Sequence, residues 1–391
     1  MSFARPLCAQ VTTVHRGRDV RIFRKEARTL AAAGLDVVVI HPESPIPDED
    51  GVRFVGLDLQ GGRVRRFALG GFLAFRCARR LGATVFHFHD PELLPWAVLW
   101  RLLGGISIYD VHEDVPKAVL RKAWIPSPLR RLISFCMTFI EWGAAKGCTA
   151  VVAATEPIAA RFPGTNSIVV RNYPENLEEF SRAARPWADR RNRVMYAGTL
   201  SRDRGLQRML DAIQRVDPAL NAQLVLAGPL RGNLLLDSTG KALPPHLLSF
   251  EGQVSPERVV EMSGEVRVGL HVVEPLEAYR ESLPIKVFEY MAAGVPCIVS
   301  DFPAWKAMVE GHRCGLTVDP LSADAIATAI TSLLRDAPSS EMMGRNGAEA
   351  AATNYHWRRE GDALVALYRR LLTLEWRRTD KCPRLLRLLR S

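Results

Sequence analysis

Short, continuously apolar runs alternate along the chain with segments whose apolar positions recur at helical spacing. Strand-like runs are Ala9–Val14, Asp36–His41, Thr84–Phe88, Ile106–Asp110, Ala150–Ala153, Arg193–Ala197, Gln223–Ala227, Val266–Val272 and Pro296–Ser300. Helical spacing predicts Val20–Ala33, closed by Gly34, then Pro91–Leu103, Gly205–Val216 and Ser322–Leu334. Strands apolar at every position are buried on both faces, so the alternation predicts parallel sheets covered by helices. There are too many strands for one doubly wound sheet, and the rhythm restarts once.

The restart follows "RNYPENLEEFSRAARPWADRRN", Arg171–Asn192, which is polar and carries Pro174 and Pro186. The expectation is an α/β chain of two Rossmann-like domains, residues 1–172 and 193–354. A helix and basic tail, 355–391, follow, apolar at 364, 365, 367, 368, 371 and 372. Open parallel sheets bind ligands beyond the carboxyl ends of their strands. Two in tandem therefore predict a cleft between two sets of strand-end loops.

Composition narrows the class. At 391 residues, 48% hydrophobic and 24% charged, the chain suits two or three soluble domains. The N-terminal "MSFARPLCAQVTTV" lacks a signal-like apolar run, and no stretch approaches the roughly 20 apolar residues of a membrane span. Seven scattered cysteines without a C-x-x-C predict a reducing cytoplasm. The net charge of +10 is concentrated: Gly61–Gly82 holds six arginines, Val115–Ile140 five Lys/Arg, and neither holds an acid. Arg369–Ser391 is a third basic stretch. These are either solvated faces or, on the sharper reading, sites for an anionic partner, whether membrane, lipid phosphate or nucleic acid; the first would place the protein on the inner face of the cytoplasmic membrane. The Leu129–Ala145 helix likewise reads as a core helix or as an interfacial one with Arg130 and Arg131 at its start.

No G-x-x-x-x-G-K-[ST] is present and no G-x-G-x-x-G follows the first strand, which disfavours P-loop and standard dinucleotide chemistry. "ESLPIKVFEYMAAGVPCIVSD", Glu281–Asp301, is more informative. Pro284 suits a helix start and Gly294 its end. Lys286 and Glu289 share the face turned from the sheet, and Glu281 precedes the helix beside its free N–H groups, an anion seat.

That stretch resembles the E-x7-E signature of glycosyltransferase family 4, retaining nucleotide-sugar enzymes with the GT-B fold. Glu281 and Glu289 stand at its two acids. "VTTVHRGRDVRIFRKEARTLAAAGLDVVVI", "VFHFHDPELLP", "IYDVHED", "YAGTLSRDRGLQRMLDAI" and "LVLAGP" resemble further family segments in family order. The resemblance implies two Rossmann-like domains across a cleft, with the C-terminal helix crossing back to the N-terminal one. It assigns ribose binding to Glu289, donor-sugar contacts to Glu281, and phosphate contacts to the backbone around Ser282 and Leu283. Arg204 would neutralise the diphosphate in place of a metal. Gly198, Thr199, Arg202 and Lys286 complete the donor set, Lys286 either touching phosphate or balancing Glu289. His112 would meet the sugar or acceptor near the reaction centre, and His15, Gly17, Asp19 and Asp90 would bind acceptor.

Two departures stand out. Thr199 and Arg204 occupy positions usually held by an arginine and a lysine, and Ser282-Leu283-Pro284 replaces a glycine-containing loop. The donor is expected to be a UDP- or GDP-sugar and the acceptor a lipid-linked saccharide, such as a polyprenyl diphosphate sugar of cell-surface polysaccharide synthesis. No cofactor, metal or nucleic acid is expected. Rival readings are a nucleotide-sugar epimerase, a basic nucleic-acid binder, and a metal hydrolase built on His87, His89 and Asp90.

Overall fold

The apolar runs form two wholly parallel sheets, one in each of two units. The computed structural model describes residues 6–59, 63–112, 114–120, 125–232, 236, 238–280 and 282–381. The first unit is residues 1–172 with 357–391 and the second is 173–356.

In the first unit the strands are β1 (Leu7–Val11), β2 (Asp36–His41), β3 (Val52–Gly56), β4 (Val85–Phe88), β5 (Ile106–Val111), β6 (Ala150–Ala153) and β7 (Ser167–Val169). Their order is β3-β2-β1-β4-β5-β6-β7. The second unit has β8 (Arg191–Ala197), β9 (Gln223–Ala227), β10 (Leu248–Gly252), β11 (Val266–His271), β12 (Cys297–Ser300) and β13 (Gly315–Val318), ordered β10-β9-β8-β11-β12-β13. Strand order reverses between β1 and β4 and again between β8 and β11. Such reversal points open the crevice in which this architecture holds ligands.

Four strands lack the apolar signature: β3, β7, β10 and β13. All four are sheet edges. An edge strand exposes part of its surface, so its residues need not be apolar throughout, and β10 is exposed at Phe250 and Glu251.

The first predicted strand ends early, at Val11. Thr12 and Thr13 turn out of the sheet because both bond the Asp90 carboxylate, at 2.7 Å from Thr12 Oγ1 and 2.7 Å from Thr13 N. The predicted helix after it begins with wide π turns over Val20–Ala27 and tightens to α geometry over Arg28–Ala32. Arg24 N–H reaches back five residues to the Asp19 carbonyl at 3.2 Å. The widened turns carry Arg21, Lys25 and Glu26 inward, all buried.

The polar link Arg171–Asn192 is folded rather than extended. It contains the Leu177–Ala183 helix, whose Leu177 and Phe180 enter the core of the second unit. The terminal helix, Trp357–Lys381, packs in the first unit, where Leu364, Leu367, Tyr368 and Leu371 share a core with Cys8, Ile22 and Val37. Trp357 Nε1 donates to Thr29 Oγ1 at 2.8 Å, and Glu360 accepts from the Arg171 amide at 2.7 Å. Among the described residues no helix is long and apolar enough to cross a membrane.

Candidate functional site

In the second unit, β8 and β11 deliver two loops at the reversal point. Gly198 leaves β8 at φ 154°, and Gly205 closes the following loop at φ 77°. A Cβ at Gly205 would stand 1.8 Å from the Val272 carbonyl oxygen. Only glycine lets this loop lie against the end of β11.

The predicted helix is present as Ile285–Ala292, with Gly294 at φ 63° just beyond it. Val287, Phe288, Tyr290 and Met291 are buried, which leaves Lys286 and Glu289 on the other face. Lys286 Nζ lies 3.0 Å from Glu289 Oε2, so here the lysine balances the acid. The Tyr290 hydroxyl donates to the Met195 carbonyl at 3.1 Å and accepts from the Ala197 amide at 3.3 Å. These bonds fix the helix to β8, hence Glu289 to the strand end.

Arg204 is held by an arrangement the sequence did not announce. Its guanidinium carbon lies 4.4 Å from the Tyr279 ring centroid, a cation–π contact. The Tyr279 hydroxyl donates to Asp203, which also accepts from Ser201 Oγ at 2.5 Å. Burial alone would raise the Asp203 carboxyl, but the Ser201 and Tyr279 hydroxyls, with Arg204, hold it below its ordinary value. His271 ends β11. Burial, then Arg204 and Lys286, push its pKa down to about 3, so both cations bear on one neutral imidazole. Trp305 packs on His271 with ring centroids 4.9 Å apart, and its Nε1 donates to the Ser282 carbonyl at 2.9 Å.

The remaining predicted donor residues divide. The Thr199 carbonyl accepts from the Tyr196 hydroxyl at 3.2 Å, Leu283 packs on the core, and Arg202 is exposed. The Ser282 amide is already engaged, donating to the Tyr279 carbonyl at 3.2 Å, so it does not point outward as a phosphate seat. Glu281 lies outside the described residues.

The first unit gathers a second polar cluster where β1, β4 and β5 end. Asp90 binds the Thr12–Val14 turn, and its Oδ1 lies 3.6 Å from His15 Nε2. Asp19 caps the π helix by accepting from the Arg21 and Ile22 amides at 2.8 and 3.1 Å, with its Oδ2 3.7 Å from His15 Nδ1. His112 Nε2 lies 3.3 Å from His15 Nε2, and His112 Nδ1 lies 3.1 Å from Asp110 Oδ1. Four predicted residues, His15, Asp19, Asp90 and His112, are therefore brought together. Gly17 is different. It is buried, donates to Glu43 Oε2 at 2.9 Å, and a Cβ there would stand 2.8 Å from Ile46 Cδ1. Packing accounts for that glycine.

Beneath this cluster is a buried charge network. Arg21 forks onto Asp110, with Nη2 2.7 Å from Oδ2 and Nε 3.1 Å from Oδ1, and its Nε also lies 3.1 Å from Glu26. Burial alone would lift Asp110. The Arg21 charge and hydrogen bonds from His112 and His89 outweigh it and hold the carboxyl well below the usual range. Glu26 goes the other way, raised well above its ordinary value by burial and by the Asp110 charge. Burial also keeps His87 and His89 neutral. Gln10 Oε1 lies 2.8 Å from His89 Nε2, and the Tyr368 hydroxyl 2.8 Å from His87 Nδ1. Glu26, His87 and His89 bring possible ligand atoms within 4.8 Å of one another, as do His89, Asp110 and His112. The Arg21 guanidinium already supplies positive charge to both carboxylates.

Two parallel Rossmann-like sheets, one in each unit, are the architecture of the GT-B class of folds. A family model described as Glycosyltransferase Family 4 matches residues 20–166, and one described as Glycosyl transferases group 1 matches residues 178–350. One match falls in each unit, and the chain belongs to the family 4 glycosyltransferases. A GDP-mannose-dependent alpha-(1-6)-phosphatidylinositol monomannoside mannosyltransferase of Mycobacterium tuberculosis is 35% identical over 77 residues, 20% of each chain. The chain spans less than half the length of the curated relatives it matches. Sucrose-phosphate synthase from Thermosynechococcus elongatus superposes with a TM-score of 0.68 at 20% identity, covering 95% of this chain and 100% of that one. Anabaena HepE, solved with UDP and glucose, gives 0.65 at 13% identity, covering 93% and 99%.

Proposed function

We propose that this chain is a retaining, metal-independent glycosyltransferase that takes a sugar from a UDP- or GDP-sugar. The observation that carries this reading is the placement of Glu289, Lys286 and Arg204 beside the reversal point of the second sheet. In this reading Glu289 exchanges Lys286 for the ribose diol, freeing the lysine toward the diphosphate. Arg204 stabilises the charge that builds on the leaving phosphate. Glu281 orients the donor sugar. The acceptor binds the first unit beside His112 and His15. It attacks the anomeric carbon on the face the phosphate leaves, and that phosphate helps take its proton.

The UDP and glucose held by the structurally similar HepE support a nucleotide-sugar donor. The acceptor is a lipid-linked saccharide met at an anionic cytoplasmic membrane surface. The basic stretches and the phosphatidylinositol-linked substrate named for the mycobacterial relative support this.

Calorimetric titration with UDP, GDP and ADP, followed by acceptor-dependent release of the preferred nucleotide, tests the reading. Binding of none of the three overturns it. Release without any acceptor favours the epimerase instead. A chelator leaves transfer unchanged, whereas loss of activity with EDTA removes the metal-independent part.

A further inference from the structure

The Ser127–Gly147 helix packs on the Val115–Leu120 and Leu94–Leu102 helices of the first unit, with Arg130 Nη1 donating to the Leu120 carbonyl at 3.1 Å. Glu141 and Ala145 are its buried residues. Glu141 accepts from the Tyr109 hydroxyl at 2.7 Å and from Arg161, and Trp142 Nε1 donates to the Pro163 carbonyl at 3.4 Å. The earlier turns carry large apolar side chains into solvent. Leu129, Leu132, Phe135, Phe139 and Ile140 are 46–63% exposed, and the Phe135 and Phe139 rings pack edge to face with centroids 4.8 Å apart.

These positions are not scattered. At about 100° per residue, Leu129, Leu132, Phe135, Phe139 and Ile140 fall on one stripe roughly 140° wide. Arg131 borders one edge and Lys146 projects near it, both exposed. The five side chains present on the order of 500 Å² of apolar surface, near the top of the range for the largest patch on a monomer. The core-helix reading of this segment thus gives way to an amphipathic face that, among the described residues, is exposed at Leu129, Leu132, Phe135, Phe139 and Ile140.

Charge selects the occupant. Along Ser127–Gly147 the exposed charges are Arg131 and Lys146, both basic, and the helix's acid, Glu141, is buried. A second copy of the helix would bring basic borders against each other, whereas anionic lipid headgroups neutralise them while the acyl boundary receives Leu and Phe. We infer that the Ser127–Gly147 helix lies in the plane of an anionic phospholipid surface and inserts the Leu132–Phe135–Phe139 ridge into it. This deepens the proposed membrane-facing acceptor role by naming the contact element, but it does not depend on the identity of the donor.

The test is co-sedimentation of the full chain with vesicles of phosphatidylcholine containing about 30% phosphatidylglycerol, and with phosphatidylcholine alone. The expected result is binding to the anionic vesicles only. The L132S/F135S/F139S variant loses at least tenfold in apparent affinity, and R131E/K146E loses affinity most at low salt. The substituted side chains of the ridge are exposed, so unfolding temperature and UDP or GDP binding should match wild type, and these readouts verify the fold. Vesicle binding by the triple variant at wild-type strength overturns the inference. A wild-type dimer that the triple variant converts to monomer, without vesicle binding, overturns it in favour of a second copy. Vesicle binding through the ridge without nucleotide binding supports this inference while removing the glycosyltransferase reading.

Discussion

His15 and His112 face each other through their Nε2 atoms at 3.3 Å. Such a contact holds one hydrogen, so one ring donates and the other accepts. Because His112 Nδ1 lies 3.1 Å from the ionised Asp110, its Nδ1 carries a proton, and a neutral His112 must accept from His15. His112→Ala is therefore expected to lower turnover by about 10²–10⁴-fold, with nucleotide affinity unchanged. His15→Ala, which removes the donor to His112 Nε2, should also lower turnover with nucleotide affinity unchanged. Steady-state kinetics and calorimetry check both, and a His112→Ala enzyme with wild-type turnover removes His112 from the reaction.

Glu289→Ala should act on donor binding. Charged hydrogen bonds to two ribose hydroxyls, at about 1.5–3 kcal/mol each, predict at least a tenfold rise in the Kd for the nucleotide. Lys286→Ala should give a smaller rise, since under the proposed function it removes both a phosphate contact and the partner that competes for Glu289. Unchanged nucleotide affinity after Glu289→Ala would overturn the ribose assignment.

Tyr279 is expected to position Arg204 through two separable contacts. Tyr279→Phe retains the ring under the guanidinium and removes the hydroxyl on Asp203. It should weaken donor binding only a few-fold, whereas Tyr279→Ala should approach the effect of Arg204→Ala. Equal affinities for the Phe and Ala variants would show that the stacking contributes nothing.

Arg21 is a structural prediction. Replacing it with methionine leaves the buried Asp110 carboxylate without its forked partner, and breaking a buried pair costs about 3–5 kcal/mol. Chemical denaturation should show the first unit destabilised by that order. Arg21→Met combined with Asp110→Leu, which removes both charges, should recover part of the loss.

His271 gives stability a pH dependence of definite sign. Its pKa is about 3 when folded, against an ordinary value near 6.5 when unfolded. Between those values the unfolded chain binds a proton that the folded chain refuses, so stability falls as pH drops from about 6.5 toward 3. The slope from this one group is about 1.4 kcal/mol per pH unit. Buried, neutral His87 and His89 add slopes of the same sign. The His271→Gln variant should unfold with a shallower acid dependence, measured as denaturation midpoints from pH 7 to pH 5.

Sequence carries some of this architecture and hides the rest for physical reasons. Central strands such as β2, β6 and β9 appear at their full extents because burial on both faces demands apolar residues throughout. Edge strands β3, β7, β10 and β13 lack that demand and leave no such trace. Glu289 and Lys286 are visible because they are charges interrupting an apolar helical pattern. Asp203 and Tyr279 stand 76 positions apart, and nothing local marks them as partners. Arg21 and Glu26 read as ordinary helix charges, because α-helical spacing does not anticipate the π turns that carry them inward. Asp110 had a local signal, an acid within the strand run "SIYDVH", but only the fold supplies Arg21 opposite it.

The first unit has a consequence for synthesis. Its core is completed by Leu364, Leu367, Tyr368 and Leu371, nearly two hundred residues after β7. At about 5–20 residues per second of translation, the ribosome makes the whole second unit before those side chains exist. For roughly ten to forty seconds, Ile22, Phe23 and the Gln10–His87 pair await the helix that covers them. The later-encoded half of the chain is thus free to fold first, and the earlier half finishes last.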